Sequence, residues 1–141
     1  MAFDCADEDS GHWAVLDMTG TDSTELSTAR WWAEKKLGTL AEPDRIDTLM
    51  VVAELLDNAY RHGGGPRQLR IRYRHRPCDV TVAVIDAGTG KPRLRAPDRG
   101  GGRGLLIVDR LCAGWGVRHH DDGKLVWARL PCTAREAQET P

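Results

Sequence analysis

The chain has 141 residues, enough for one ordinary domain with its own core and too few for two. Its composition, 40% hydrophobic and 29% charged, is that of a soluble globular protein, and a formal net charge of -1 gives no overall field for nucleic acid or membrane. Cys5, Cys78, Cys112 and Cys132 are scattered without a C-x-x-C pair, which argues against a disulfide framework or a zinc site and for reduced thiols.

Residues 1–11 are polar and acidic (Asp4, Asp7, Glu8, Asp9) and are predicted disordered. They lack the basic stretch and apolar run of a signal peptide, and no apolar run approaches the roughly 20 residues that span a bilayer. A cytoplasmic protein without membrane attachment is expected. One domain is predicted over 12–132, followed by a flexible tail over 133–141.

Within the domain, Trp13 and Val15 favour a first strand over 12–18. Thr21 to Glu25 reads as a helix start, with Asp22 as cap and Glu25 reaching back. That helix runs to about Leu37, with Leu26, Ala29 or Arg30, Ala33 and Leu37 inward, and Gly38 stops it. Pro43 suits the first turn of a second helix. Ile46, Leu49, Met50, Ala53, Leu56 and Tyr60 recur there at helical spacing and are predicted to form its buried face. Gly63-Gly64-Gly65-Pro66 ends it.

Leu69 to Arg76 alternates, with Ile71, Tyr73 and His75 on one side and Arg70, Arg72, Arg74 and Arg76 on the other. This predicts a strand of a largely antiparallel sheet, its arginine face in water and without interleaved aromatics. Val80 to Asp86 is the next strand, with Val80, Val82, Val84 and Asp86 inward. A buried carboxylate at that position needs a partner. Residues 87–103 read as a loop rich in Gly, Pro and Arg. Leu105 to Leu111 reads as a helix, and Trp115–His119 and Lys124–Leu130 as two last strands joined by Asp121-Asp122-Gly123. The order predicts an α/β (α+β) two-layer sandwich, with helices on one face of a mixed, mostly antiparallel sheet.

Three motifs bear on chemistry. Glu54 and Asn58 are four apart and so neighbours on one helix. A carboxamide oxygen suits magnesium, which keeps most of its waters and takes few protein ligands. The carboxylate beside it could bind a metal-bound water or accept a proton from an attacking hydroxyl. Alone, the pair reads equally as polar residues on a helix surface. Asp86-Ala87-Gly88-Thr89-Gly90 leaves a strand. Asp86 is an acceptor suited to the exocyclic amine of adenine, and Gly88 and Gly90 admit close backbone approach. Alone it reads as an Asx-type turn. Gly101-Gly102-Arg103-Gly104-Leu105 opens a helix, whose free N–H groups favour an anion, with Arg103 adding charge. Lys91, Arg93, Arg95 and Arg99 lie between the two glycine motifs, as a lid over phosphates would. No P-loop and no Gly-x-Ser-x-Gly elbow is present.

This ordered set resembles the GHKL (Bergerat-fold) ATP-binding superfamily shared by gyrase-type topoisomerases, heat-shock chaperones, sensor histidine kinases and MutL proteins. Within it the chain is most similar to the small bacterial anti-sigma factor serine/threonine kinases. The string Glu54-Leu55-Leu56-x-Asn58-Ala59-x-Arg61-His62-Gly63, the segment Gly102 to Val108, Trp115-Gly116-Val117 and Lys124 to Trp127 carry that likeness. The resemblance implies the histidine kinase-like ATPase fold, with ATP and Mg2+ as cofactors. It implies Asn58 as metal ligand and Glu54 as catalytic base. Asp86 would read adenine, Gly88 and Gly90 would line the base pocket, and Gly102, Gly104 and Leu105 would flank the phosphates. Arg61, His62 and Arg103 fall at the site's edge. A sigma factor, an anti-anti-sigma (STAS-type) protein, or both are the implied partners, and a homodimer is left open. A non-catalytic ATP-binding interaction module is the alternative. Nucleic acid is disfavoured as a partner.

Overall fold

The computed structural model describes residues 12–88 and 103–133, the side chains of 103–106 excepted. The elements follow in chain order: β1 (Trp13–Asp17), α1 (Glu25–Lys36), α2 (Glu42–His62), β2 (Pro66–His75), β3 (Cys78–Asp86), α3 (Arg103–Leu111), β4 (Gly114–His120) and β5 (Gly123–Pro131). The five strands form one sheet in the order β1-β2-β3-β5-β4. Every pairing is antiparallel. This is the α+β architecture that the sequence predicts.

Register decides what each face of the sheet carries. Leu69, Ile71, Val80, Val82, Val84, Val126, Ala128 and Leu130 share one face and pack with Ala29, Ala33 and Leu37 around α1 and with the inner side of α2. That is the hydrophobic core. At its end, Asp86 stands directly opposite Lys124, and Lys124 opposite His119. The valine row therefore runs straight into a buried charge pair.

The buried stripe of α2 is Thr48, Val51, Val52, Leu55, Leu56 and Ala59. It lies about one residue, or roughly 100°, from the face expected through Ile46, Met50 and Ala53. Ile46 is 53% exposed and Met50 40%. The adjacent pairs Val51-Val52 and Leu55-Leu56 outweigh the looser series, because they present more contiguous apolar surface to the sheet. The corrected face puts Asn58 inside rather than on the surface, at 8% exposure.

Three further expectations change. Glu25 does not close a capping box. Its carboxylate accepts from the N–H groups of Thr19 (2.8 Å) and Gly20 (3.0 Å) and from the Tyr60 hydroxyl (3.0 Å). It clamps the β1–α1 loop to α2, and these hydrogen bonds, led by Thr19, hold its carboxyl below the usual range.

The arginine row of β2 is not simply solvated. Arg72 is 1% exposed, with its guanidinium 5.1 Å from the Trp13 ring of β1. Arg74 Nε donates to Asp79 Oδ1 at 2.9 Å. An aromatic thus stands on the arginine face, but it comes from the neighbouring strand.

Cys78 and Cys132 form a disulfide, where reduced thiols are expected. Sequence spacing hides it. The β3–β5 register sets Asp79 opposite Pro131, which brings Cys132 N–H to the Cys78 carbonyl at 3.0 Å. Among the described residues no helix is long and apolar enough to cross a membrane.

Candidate functional site

Three elements converge where α2 ends. Gly63 follows α2, Asp86 ends β3, and Gly123 begins β5. A Cβ on Gly63 would lie 2.3 Å from Asp86 Oδ2, and one on Gly88 2.6 Å from the Gly63 carbonyl carbon. Only glycine at both positions lets the carboxylate and the following turn press against the end of the helix. Gly63, which the sequence offers as a helix stop, is thus also a wall of the site.

Asp86 is 1% exposed and Lys124 fully buried. Lys124 Nζ lies 3.0 Å from Oδ2 and 3.2 Å from Oδ1. Gly88 N–H donates to Oδ1 at 2.9 Å, the Asx-type turn in place. Oδ2 takes no hydrogen bond from the protein; Nζ approaches it only as an ion pair. Burial pushes the Asp86 carboxyl above its ordinary value, against the opposing pull of Lys124, the Gly88 N–H and His119.

The helix α2, which ends against Asp86 at Gly63, carries Asn58 and Glu54. Asn58 Nδ2 is buried without a hydrogen-bond partner. A half-turn of the amide exchanges its nitrogen and oxygen, so the side chain can offer either a donor or an acceptor. Glu54 is half-buried one turn earlier. Desolvation, reinforced by the nearby charge of Asp57, pushes its carboxyl up, and Arg61 pulls less strongly the other way. Arg61 lies outward, 3.0 Å from Asp57, and His62 is exposed in the last turn.

The helix start falls at Arg103, with Gly104 and Leu105 in its first turn. Of the other predicted site residues, Gly90 and Gly102 lie outside the described residues, as do Lys91, Arg93, Arg95 and Arg99 of the expected lid. Lys124 and His119 were missed as site residues. The one available signal was a lysine straight after the turn glycine, at the start of a strand that must pair with something.

A buried acceptor on β3, with a buried amide and a half-buried acid on α2, supplies groups that suit a polar ligand. A family model for the histidine kinase-like ATPase domain matches residues 19–130. The chain belongs to this family, an ATPase domain of the GHKL type. No curated protein matches it in sequence. Among solved structures, it is similar to the RsbU and RsbW domains of Rv1364c from Mycobacterium tuberculosis, with a TM-score of 0.64 at 16% identity. That likeness covers 85% of this chain and 32% of the other, so this chain spans about a third of that protein. The histidine kinase AdeS of Acinetobacter baumannii aligns at a TM-score of 0.45 and 15% identity, over 94% of this chain and 73% of that one. The first likeness shows the shared fold.

Proposed function

We propose that the protein is an ATP- and magnesium-binding regulatory factor with protein-serine kinase activity, acting on an anti-anti-sigma partner of STAS type in a sigma-factor switch. The observation that carries this reading is that two buried atoms, Asp86 Oδ2 and Asn58 Nδ2, take no hydrogen bond within the protein, Oδ2 being met only by the Lys124 ion pair at 3.0 Å. They sit on the two residues to which the family motifs assign base and metal. A buried polar atom without a partner costs about 1–3 kcal/mol, which applies to Asn58 Nδ2, while Asp86 Oδ2 keeps lone-pair capacity beyond its ion pair.

Asp86 Oδ2 is the acceptor for the exocyclic amine of adenine. Gly88 packs directly against the Gly63 backbone, which fixes the turn that follows Asp86. Asn58, turned to present its amide oxygen, is the residue that would hold the magnesium ion. Among the described residues no group of three His, Cys, Asp or Glu side chains is placed to hold a metal ion, which fits an ion carried mostly by nucleotide phosphates and water. When bound, the ion would supply charge neutralisation at the transferred phosphoryl group. The backbone N–H groups at the start of α3, around Gly104, would hold the phosphates. Glu54 takes the proton of the acceptor serine as the serine oxygen bonds to the γ-phosphorus and the bond to the β-phosphate oxygen breaks, releasing ADP. Its raised pKa, caused first by desolvation, strengthens it as a base.

Incubation with γ-labelled ATP, magnesium and the STAS-domain proteins of the same organism tests the reading. Transfer of label to a serine by the wild type, lost in Glu54→Gln while ATP still binds, is the expected result. Bound nucleotide without transfer to any of them would reduce the protein to an ATP-binding module.

A further inference from the structure

The pairing of Asp86 with Lys124 is not needed to fill the core. A lysine with 0% side-chain exposure is rare, and a buried ion pair seldom stabilises a fold more than apolar residues of similar size would. Its placement is nevertheless firmly built. A Cβ on Gly123 would lie 2.0 Å from the Asp86 carbonyl oxygen, so β5 starts hard against β3. Register then puts Lys124 directly opposite Asp86 on the core side of the sheet.

The consequence lies in how the carboxylate's lone pairs are used. Oδ1 accepts from both Gly88 N–H and Lys124 Nζ. Oδ2 faces Nζ at 3.0 Å without hydrogen-bonding geometry and keeps its acceptor capacity. A neutral carboxyl group could donate as well as accept, and would greet an amine or a carbonyl on a base equally. An ionised one accepts only.

We propose that Lys124 is a positioning residue that holds Asp86 ionised with Oδ2 as a pure acceptor, and so selects a nucleobase bearing an exocyclic amine over one bearing a carbonyl at the same place. This rests on the reading of Asp86 as the base-contacting residue. Burial works against the ionised form, and the hydrogen bond and charge of Lys124 are the strongest influences opposing it. Beside Lys124 and Gly88, His119 on β4 acts on the Asp86 charge and the Gly63 backbone lies against its carboxylate, while His120, Arg67, Asp17 and Asp122 are charged or titratable groups of a neighbouring cleft. That cleft, of about 380 Å³, reaches Asp86.

The test is calorimetric titration with magnesium ATP and magnesium inosine triphosphate, which carries a carbonyl where adenine has its amine. It is run from mildly acidic to mildly alkaline pH on the wild type, Lys124→Met and Lys124→Arg. The wild type should prefer ATP by roughly 10- to 100-fold, with little pH dependence around neutrality. Lys124→Met should bind both nucleotides within a few-fold at neutral pH and recover its preference as pH rises. Lys124→Arg should keep the wild-type preference. Should Lys124→Met fail to fold, the neutral pair Asp86→Asn/Lys124→Met serves, and it should bind the two nucleotides within a few-fold. Full discrimination and an unchanged pH profile in Lys124→Met, or full discrimination in the double variant, would overturn the inference while leaving the site intact. A wild type that binds neither nucleotide would refute the nucleotide reading itself.

Discussion

Strand β3 buries two carboxylates, and they are treated in opposite ways. Asp79 is 2% exposed and Asp86 1%. Asp79 is fully engaged: Arg74 Nε donates to Oδ1 at 2.9 Å and Arg129 Nη1 to Oδ2 at 3.3 Å. Burial raises its pKa, but the hydrogen bonds and charges of Arg74 and Arg129 together more than reverse this, leaving it below the ordinary value. At Asp86 burial wins, and one oxygen is left without a hydrogen bond. The Asp79 end is also closed by the Cys78–Cys132 disulfide, and Thr133 N–H and hydroxyl hold Asp44 of α2 at 3.1 and 3.0 Å. One end of the strand is a latch and the other ends in a carboxylate oxygen that takes no hydrogen bond. Burial alone does not separate a structural carboxylate from a functional one; unspent hydrogen-bonding capacity does.

Glu54→Gln should act on the Asp86 end alone. Phosphoryl transfer should fall by roughly 100- to 10,000-fold with ATP affinity little changed, as single-turnover kinetics and calorimetry would show. Opening the disulfide should act on the latch. It closes a separation of 54 residues, which the chain-entropy account makes worth about 4 kcal/mol. Denaturant melts of the Cys78→Ser/Cys132→Ser variant against the oxidised protein measure this.

Asp79→Asn should cost roughly 1–3 kcal/mol by the same melts. The value stays well below that of a dry pair because Arg129 is 42% exposed and screened. At the bottom of the scale, Arg61→Ala removes an exposed i,i+4 pair with Asp57 and should cost under about 0.5 kcal/mol.

Acid separates the two carboxylates by sign. The folded pKa of Asp79 is below its unfolded value near 3.8, so its contribution is present above that value and is lost as pH falls through the lowered one. The folded pKa of Asp86 is above 3.8, so its contribution is fully present below 3.8 and is lost as pH rises through the raised one. Melting curves across this range should show Asp79→Asn flattening the acid loss and Asp86→Asn removing the opposing gain.

Much of this was legible in the sequence, for local reasons. The alternation of β2, the valine row of β3, the glycines after α2 and before β5, and the Pro43 start each act over a few residues, so the eight elements appear in their right order. The Glu54–Asn58 pair, Asp86 and the glycine motifs were visible for the same reason. What failed depended on rotation or register. The α2 stripe was set by which apolar neighbours pack more surface, and that choice decides whether Asn58 is inside. The Trp13–Arg72 stack, the Asp86–Lys124 pair and the Cys78–Cys132 bond each join residues far apart in the chain. One strand read alone cannot show what stands opposite it.

An Asp86 oxygen with acceptor capacity to spare should be where the protein meets a nucleotide. Calorimetric titration of ATP with magnesium into the wild type and Asp86→Asn measures whether it is. Saturable binding by the wild type, weakened roughly tenfold or more in a folded Asp86→Asn protein, is the predicted result. Equal binding by both, or none by the wild type, would contradict it.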